Sequence, residues 1–145
     1  MKTIILINCG AKKENTPQKA EDLYIGGYFK KILAYAEYLS NKNNAEIFIL
    51  SAKYGVLELN EIIKPYDLTL KNKDEKYKKI WSYKVIKQLE NKIKRTDKII
   101  FLAGENYIKY LKKYYKNYEE PLKGLRIGKR LKFITEELKD ERFNK

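Results

Sequence analysis

Apolar residues gather in three short unbroken runs, Thr3–Asn8, Ala45–Leu50 and Lys98–Ala103, each ending at small or polar residues. Runs of this length without helical period predict strands buried on both faces. Between the first two, Phe29, Ile32, Leu33, Ala36 and Leu39 recur at helical spacing. That predicts a helix from about Leu23 to Ser40, its first turn loosened by Gly26-Gly27. Over Asp74–Lys94, Tyr77, Trp81, Val85 and Leu89 fall on one stripe with Ile80, Ile86 and Ile93 beside it, a second helix with Asn72 or Asp74 as its cap. A helix dense in Tyr and Lys is predicted over Tyr107–Tyr118, a turn at Pro121 and Gly124, and a last helix from about Gly128 to Lys139 carrying Leu131, Ile134 and Leu138 behind Ile127. Strands alternating with helices predict an α/β fold, three layers deep, with an open, mainly parallel sheet and helices on both faces. No linker or repeat divides residues 1–145, so one domain is expected.

Composition narrows the chemistry. The chain has no histidine and one cysteine, Cys9. Serine–histidine and cysteine–histidine catalysis, internal disulfides and His- or multi-Cys metal sites are thereby excluded, and no metal or cofactor is expected. Proton transfer is left to Asp, Glu, Lys, Tyr or Cys9. No apolar run approaches the roughly 18 residues of a membrane span. The run from Met1 to Ile7 lacks a small-residue cleavage site, and a cytoplasmic protein is expected.

Charge is the other signal. Lys and Arg number 32 against 19 Asp and Glu, a net +13. Residues 1–60 hold 8 basic and 6 acidic side chains, residues 61–145 hold 24 and 13, so the second part carries +11. Such a basic half suits a polyanion, DNA, RNA or a nucleotide. The competing account is a lysine-rich composition without a role, since 28 of the 32 are Lys.

In open α/β sheets ligands sit outside the carboxyl ends of the strands. That points to three loops. In the first, Asn8-Cys9-Gly10-Ala11-Lys12-Lys13, the glycine permits close approach of a ligand and two lysines suit phosphate, although the spacing is neither that of a P-loop nor of a dinucleotide fold. Cys9 reads as a small buried hydrophobe more readily than as a nucleophile. The second loop holds Ser51-Ala52-Lys53-Tyr54-Gly55 and Pro65-Tyr66-Asp67. There Tyr54 or Tyr66 can stack on a base, Lys53 can meet phosphate and Asp67 can act as a base; alternatively the tyrosines pack and Asp67 is a turn residue. The third is Gly104-Glu105-Asn106-Tyr107, with Glu105 as a second carboxylate or a helix-start residue. Gly128-Lys129-Arg130 adds a helix start with two cations, suited to phosphate or simply solvated.

Several blocks occur in a recognisable order: Cys9-Gly10-x-Lys12-Lys13, Asp22-Leu23-Tyr24 with Phe29, Leu50 to Leu57, Pro65-Tyr66-Asp67-x-Thr69-Leu70, and Gly124 to Leu131. Together they resemble a small stand-alone family catalogued as domain of unknown function 6884, over nearly the whole chain. More distantly, Leu50-Ser51-Ala52-x-Tyr54-Gly55 followed by Pro65-Tyr66 resembles the peroxide-stress protein YaaA, a DNA-binding protein. Cys9-Gly10 at a strand end with a following lysine, and Ser51 ahead of an aromatic and a glycine, also look like the catalytic domain of archaeosine synthase, which is similar to the uracil-DNA glycosylase superfamily. The resemblance implies a strand-end pocket shared by these groups, with Tyr24 among its residues.

Two functions of different class follow as expectations. One is a nucleic-acid-associated enzyme of glycosylase-like type. In it Asp67, Ser51 and Glu105 serve the chemistry, while Asn8, Cys9, Gly10, Lys12, Lys13, Tyr24, Lys53, Tyr54, Gly55, Tyr66, Gly104, Lys129 and Arg130 hold the base and phosphates. The other is a non-catalytic DNA-binding module of the YaaA type, contacting nucleic acid through lysine-rich helices.

Overall fold

The computed structural model describes the backbone of residues 1–143 and the side chains of residues 1–139. In chain order its elements are β1 (Thr3–Asn8), β2 (Gln18–Lys19), α1 (Ala20–Leu23), α2 (Gly27–Asn43), β3 (Glu46–Ser51), β4 (Gly55–Glu58), β5 (Ile62–Ile63), α3 (Glu75–Leu89), β6 (Lys98–Leu102), α4 (Glu105–Ile108), α5 (Leu111–Tyr114), β7 (Tyr118–Glu119) and α6 (Ile127–Phe143). Five strands form one sheet in the order β4-β3-β1-β6-β7, in which only the β3–β4 pair is antiparallel. β2 and β5 make a separate antiparallel ladder.

The three apolar runs become the three central strands because each must be covered twice. Ile4 and Leu6 pack with Trp81, Val85 and Leu89 of α3 on one face. Ile5 and Ile7 pack with Phe29, Ile32 and Ala36 of α2 and Ile134 of α6 on the other. Side chains alternate between faces along a strand, so a strand buried on both sides reads as a continuous hydrophobic run. Each fully buried Ile or Leu contributes about 1.5–3 kcal/mol relative to exposure, and the alternation holds the register of β1 against both neighbours. The expected three-layer α/β sheet is the observed one.

Several local expectations are corrected. The helix predicted from Leu23 is broken: α1 ends at Leu23, Tyr24 is extended, and α2 begins only at Gly27. Burial of Tyr24 and the bridge pairing Lys13 with Tyr24 outweigh helix propensity there. Asp74 does cap α3, accepting the Tyr77 N–H at 2.8 Å, but α3 ends at Leu89 rather than Lys94. Its chain then turns so that the Lys92 and Ile93 N–H groups both donate to the Leu89 carbonyl, which brings Ile93 into the core. Tyr77 and Ile80 are exposed, not core.

The predicted Tyr107–Tyr118 helix is instead two single turns, α4 and α5, followed by β7. Parallel pairing of Tyr118–Glu119 with Ile99–Ile100 and burial of Tyr115 override a locally helical pattern. The last helix starts at Ile127, one residue early, and extends to Phe143. Among the described residues, no helix is long and apolar enough to cross a membrane.

Candidate functional site

β1 has β3 on one side and β6 on the other. The chain therefore leaves β1 toward one edge of the sheet and later crosses back past β1 to form β6. Where neighbouring connections diverge in this way, a crevice opens beyond the carboxyl ends of the strands. Here it opens above Asn8 and Gly104. The Asn8 Oδ1 accepts the Gly104 N–H at 3.1 Å, tying the two loops together, and the Cys9 N–H donates to the Leu50 carbonyl at 3.0 Å. Two cavities, of about 510 and 500 Å³, share Asn8, Cys9, Gly10, Ala11, Gly104 and Ile127 as walls, so they form one forked cleft.

The first arm is bordered by Gly26, Gly27, Tyr28 and Phe29, which are the start of α2. No side chain caps this 17-residue helix. Its first N–H groups lack intrahelical partners and carry the positive end of the helix dipole. Lys12 and Arg130 complete the wall. The Arg130 guanidinium donates to the Leu125 carbonyl at 2.7 Å and to the Tyr28 hydroxyl at 3.4 Å. Of the five N–H donors of a guanidinium, that leaves three for a ligand. The second arm is bordered by Leu68, Thr69, Lys71, Asn106 and Tyr107. Among the described residues no carboxylate lines either arm, and the charged side chains that do are Lys12, Lys71 and Arg130.

A network of buried tyrosines adjoins the cleft, with Tyr107 itself in the wall of the second arm. Ser51, fully buried, donates from Oγ to the Tyr66 hydroxyl at 2.8 Å and accepts the Lys53 and Tyr54 N–H groups. The Tyr66 and Tyr24 hydroxyls are 2.6 Å apart. The Cys9 thiol donates to the Tyr107 hydroxyl at 3.6 Å, and the same hydroxyl accepts the Leu70 N–H at 3.3 Å. Burial pushes the Tyr24 and Tyr66 phenols well above the ordinary tyrosine range and that of Tyr107 up to about 12. All three are neutral at any physiological pH. They stiffen the surroundings of the cleft and supply no base.

Of the residues singled out in the sequence, Asn8, Cys9, Gly10, Lys12, Gly104 and Arg130 line the cleft. Tyr24, Ser51 and Tyr66 line neither arm; they are joined by hydrogen bonds, with Tyr24 packed behind Gly10. The Lys13 ammonium sits 4.5 Å over the Tyr66 ring, whose edge is also met by Tyr54 at 5.5 Å between centroids. Tyr54 donates to the Lys64 carbonyl at 3.2 Å, and the Lys53 ammonium lies 5.3 Å from its ring centroid. Both tyrosines are packing residues in this arrangement.

Gly55 is the first residue of β4, paired with Ser51 across the β3–β4 turn, and borders neither arm. Asp67 and Lys129 are exposed and border neither arm; Glu105 is exposed and bonded to Lys112. Sequence reasoning misses Gly27, Tyr28, Thr69, Lys71, Asn106 and Ile127 as site residues. Only Gly26-Gly27 carries a signal, as a paired glycine with no capping side chain ahead of a long amphipathic helix.

A family model described as a family of unknown function (DUF6884) matches residues 4–136. No curated protein matches the chain.

Proposed function

The chain belongs to this family of unknown function, and from that premise we propose that the forked cleft binds a nucleotide, free or as an unpaired unit of nucleic acid. The observation that carries this is the first arm: an uncapped helix start, Lys12 and Arg130 around one space, with no carboxylate among its walls. Helix N-termini and guanidinium forks both favour phosphate. Gly104, where a Cβ would meet nothing within 4 Å, leaves its part of the cleft free of side chains, so a flat base or a sugar can lie against backbone there, whereas Gly10 lets Tyr24 and Phe29 pack close behind the wall. With its Oδ1 accepting the Gly104 N–H, Asn8 keeps its side-chain N–H groups as donors in the wall shared by both arms.

Base excision finds less support than binding. Asp67 and Glu105, the carboxylates expected to orient water, border neither arm. A module that holds a nucleotide without cleaving it is the reading these placements favour; it shares with the YaaA-type alternative only the lack of chemistry.

Calorimetric titration with nucleoside monophosphates and the matching nucleosides tests the proposal. The phosphate form should bind at least about 10-fold tighter, since a charge-assisted bond is worth about 1.5–3 kcal/mol. Arg130→Gln should weaken it by about 10-fold or more. A side chain at Gly104 meets nothing within 4 Å, so Gly104→Leu should fill the cleft and abolish binding while leaving the melting temperature within about 2 °C. Equal affinity for nucleoside and nucleotide, or binding indifferent to both substitutions, would remove the proposal.

A further inference from the structure

The outer side of α3 has no role in the cleft. Its inner stripe of Trp81, Val85 and Leu89 is buried, yet Tyr77, Ile80 and Tyr83 are 39%, 63% and 62% exposed. Three residues apart along the helix, they form a ridge about 9 Å long at 1.5 Å per residue. Large apolar side chains grouped on a surface mark a place where something docks.

The surrounding charge identifies what. Residues 71–90 contain seven lysines and three carboxylates. Each carboxylate is already engaged. Asp74 caps α3, Glu75 takes Lys78, Lys109 and the Tyr110 hydroxyl, and Glu90 takes Lys87. Lysine ammonium groups also border the aromatic rings. Lys73 lies 5.1 Å from the Tyr77 centroid and Lys87 5.6 Å from Tyr83, while Lys79 and Lys113 approach Tyr110 at 5.5 and 5.1 Å.

Rings interleaved with cations, and no free carboxylate between them, suit a polyanion that also offers flat apolar faces. Unpaired bases on a phosphate backbone are that polyanion. Paired duplex bases would leave the ridge unused, and an acidic protein surface has no rings in regular supply. We infer that the outer ridge of α3 is a stacking platform for single-stranded nucleic acid. The platform adjoins the cleft: Lys78 Nζ donates to Asn106 Oδ1 at 2.9 Å, and Asn106 lines the second arm. A strand with one nucleotide in the cleft continues along α3. Only that continuity rests on the nucleotide reading of the cleft; the ridge stands by itself.

Fluorescence anisotropy with a labelled oligothymidylate of about 12 nucleotides, a length within the usual single-strand site sizes, tests it beside calorimetry with the mononucleotide. The oligomer should bind at least about 10-fold tighter than the mononucleotide. Tyr77→Ser with Tyr83→Ser should cost the oligomer about 10- to 100-fold, the loss of base stacking, and leave mononucleotide affinity alone. Lys76→Gln with Lys79→Gln, which keeps the rings, should flatten the log–log salt dependence by about 1.4, at about 0.7 per phosphate contact. Oligomer affinity untouched by the tyrosine pair would overturn the platform. So would a self-association that the pair abolishes while oligomer binding persists, since a second copy would then cover the ridge. Oligomer binding that needs the ridge, with no mononucleotide binding, would keep the platform and remove the cleft reading. Mononucleotide binding with no gain from length would do the reverse.

Discussion

Between pH 10 and pH 12 the protein is expected to unfold, with its buried tyrosines losing their protons together as it does so. Burial raises Tyr35, Tyr107 and Tyr115 to about 12 and moves Tyr24 and Tyr66 in the same direction, from an ordinary value of 10.0. The sign follows from which state holds the proton. In the unfolded chain a tyrosine ionises near 10, while the native site still keeps it protonated, so unfolding releases protons and rising pH favours it. The stabilisation is complete below pH 10 and lost as pH climbs through 12. At two pH units a residue loses roughly 2 kcal/mol, and several such residues together rival a typical total stability of about 5–15 kcal/mol.

Absorbance near 295 nm and far-ultraviolet circular dichroism, followed in one titration, check this. The buried group among the 13 tyrosines should ionise in a steep step that coincides with loss of helix signal. Smooth ionisation of all 13 with the helix signal intact would refute it. Because Tyr24, Tyr66 and Tyr107 adjoin the cleft, ligand affinity should vanish in the same step.

Gly55→Ala is expected to cause one of the larger losses of stability available from a single methyl group. Gly55 has φ of +78°, in the left-handed region, and a Cβ there would stand 2.2 Å from Gln88 Oε1. Gln88 is the strap of the β3–β4 turn. Its Oε1 accepts the Val56 N–H at 2.8 Å and its Nε2 donates to the Tyr54 carbonyl at 3.0 Å. Backbone strain of about 1–2 kcal/mol adds to displaced hydrogen bonds of about 1 kcal/mol each. The total is about 3 kcal/mol, or about 6–12 °C in melting temperature for a chain of this size.

A double-mutant cycle identifies the cause. In a Gln88→Ala background the clash is gone and only the strain remains, so the second substitution should cost about 1–2 kcal/mol. Full additivity, or a Gly55→Ala variant melting within about 2 °C of the parent, would contradict the described turn. The turn matters to the cleft because Ser51, at the end of β3, anchors both Tyr54 N–H and the Tyr66 hydroxyl.

Binding and cleavage made opposite demands on Asp67 in the sequence. A phosphate site has no use for a neighbouring carboxylate, whereas a hydrolytic one does. Its exposed position outside both arms, like the engagement of Glu105 by Lys112, weighs toward binding. Lys112 pairs with Glu120 as well, at 2.8 Å, so Glu105 sits at the exposed end of a surface ion-pair network.

The three central strands, their burial on both faces and the strand-end position of Asn8-Cys9-Gly10 and Gly104 were legible along the chain. Each follows from local information: an apolar run long enough for a strand, punctuated by a residue without a side chain. The Asp74 cap is local in the same way. By contrast β7 and the β2–β5 ladder exist because a distant partner supplies hydrogen bonds, and nothing in Tyr118-Glu119 itself declares that Ile99 and Ile100 will be beside it. The cleft divides along the same line. That Gly10 and Gly104 could admit a ligand was local. That Gly26-Gly27 begins a helix at the same space, that Arg130 arrives there from the far end of the chain, and that Tyr54, Tyr66 and Ser51 pack against one another outside both arms were decided by the tertiary structure. Charge, burial and hydrogen bonding at a site depend on which separate segments meet, and that is set by how both faces of the sheet are covered.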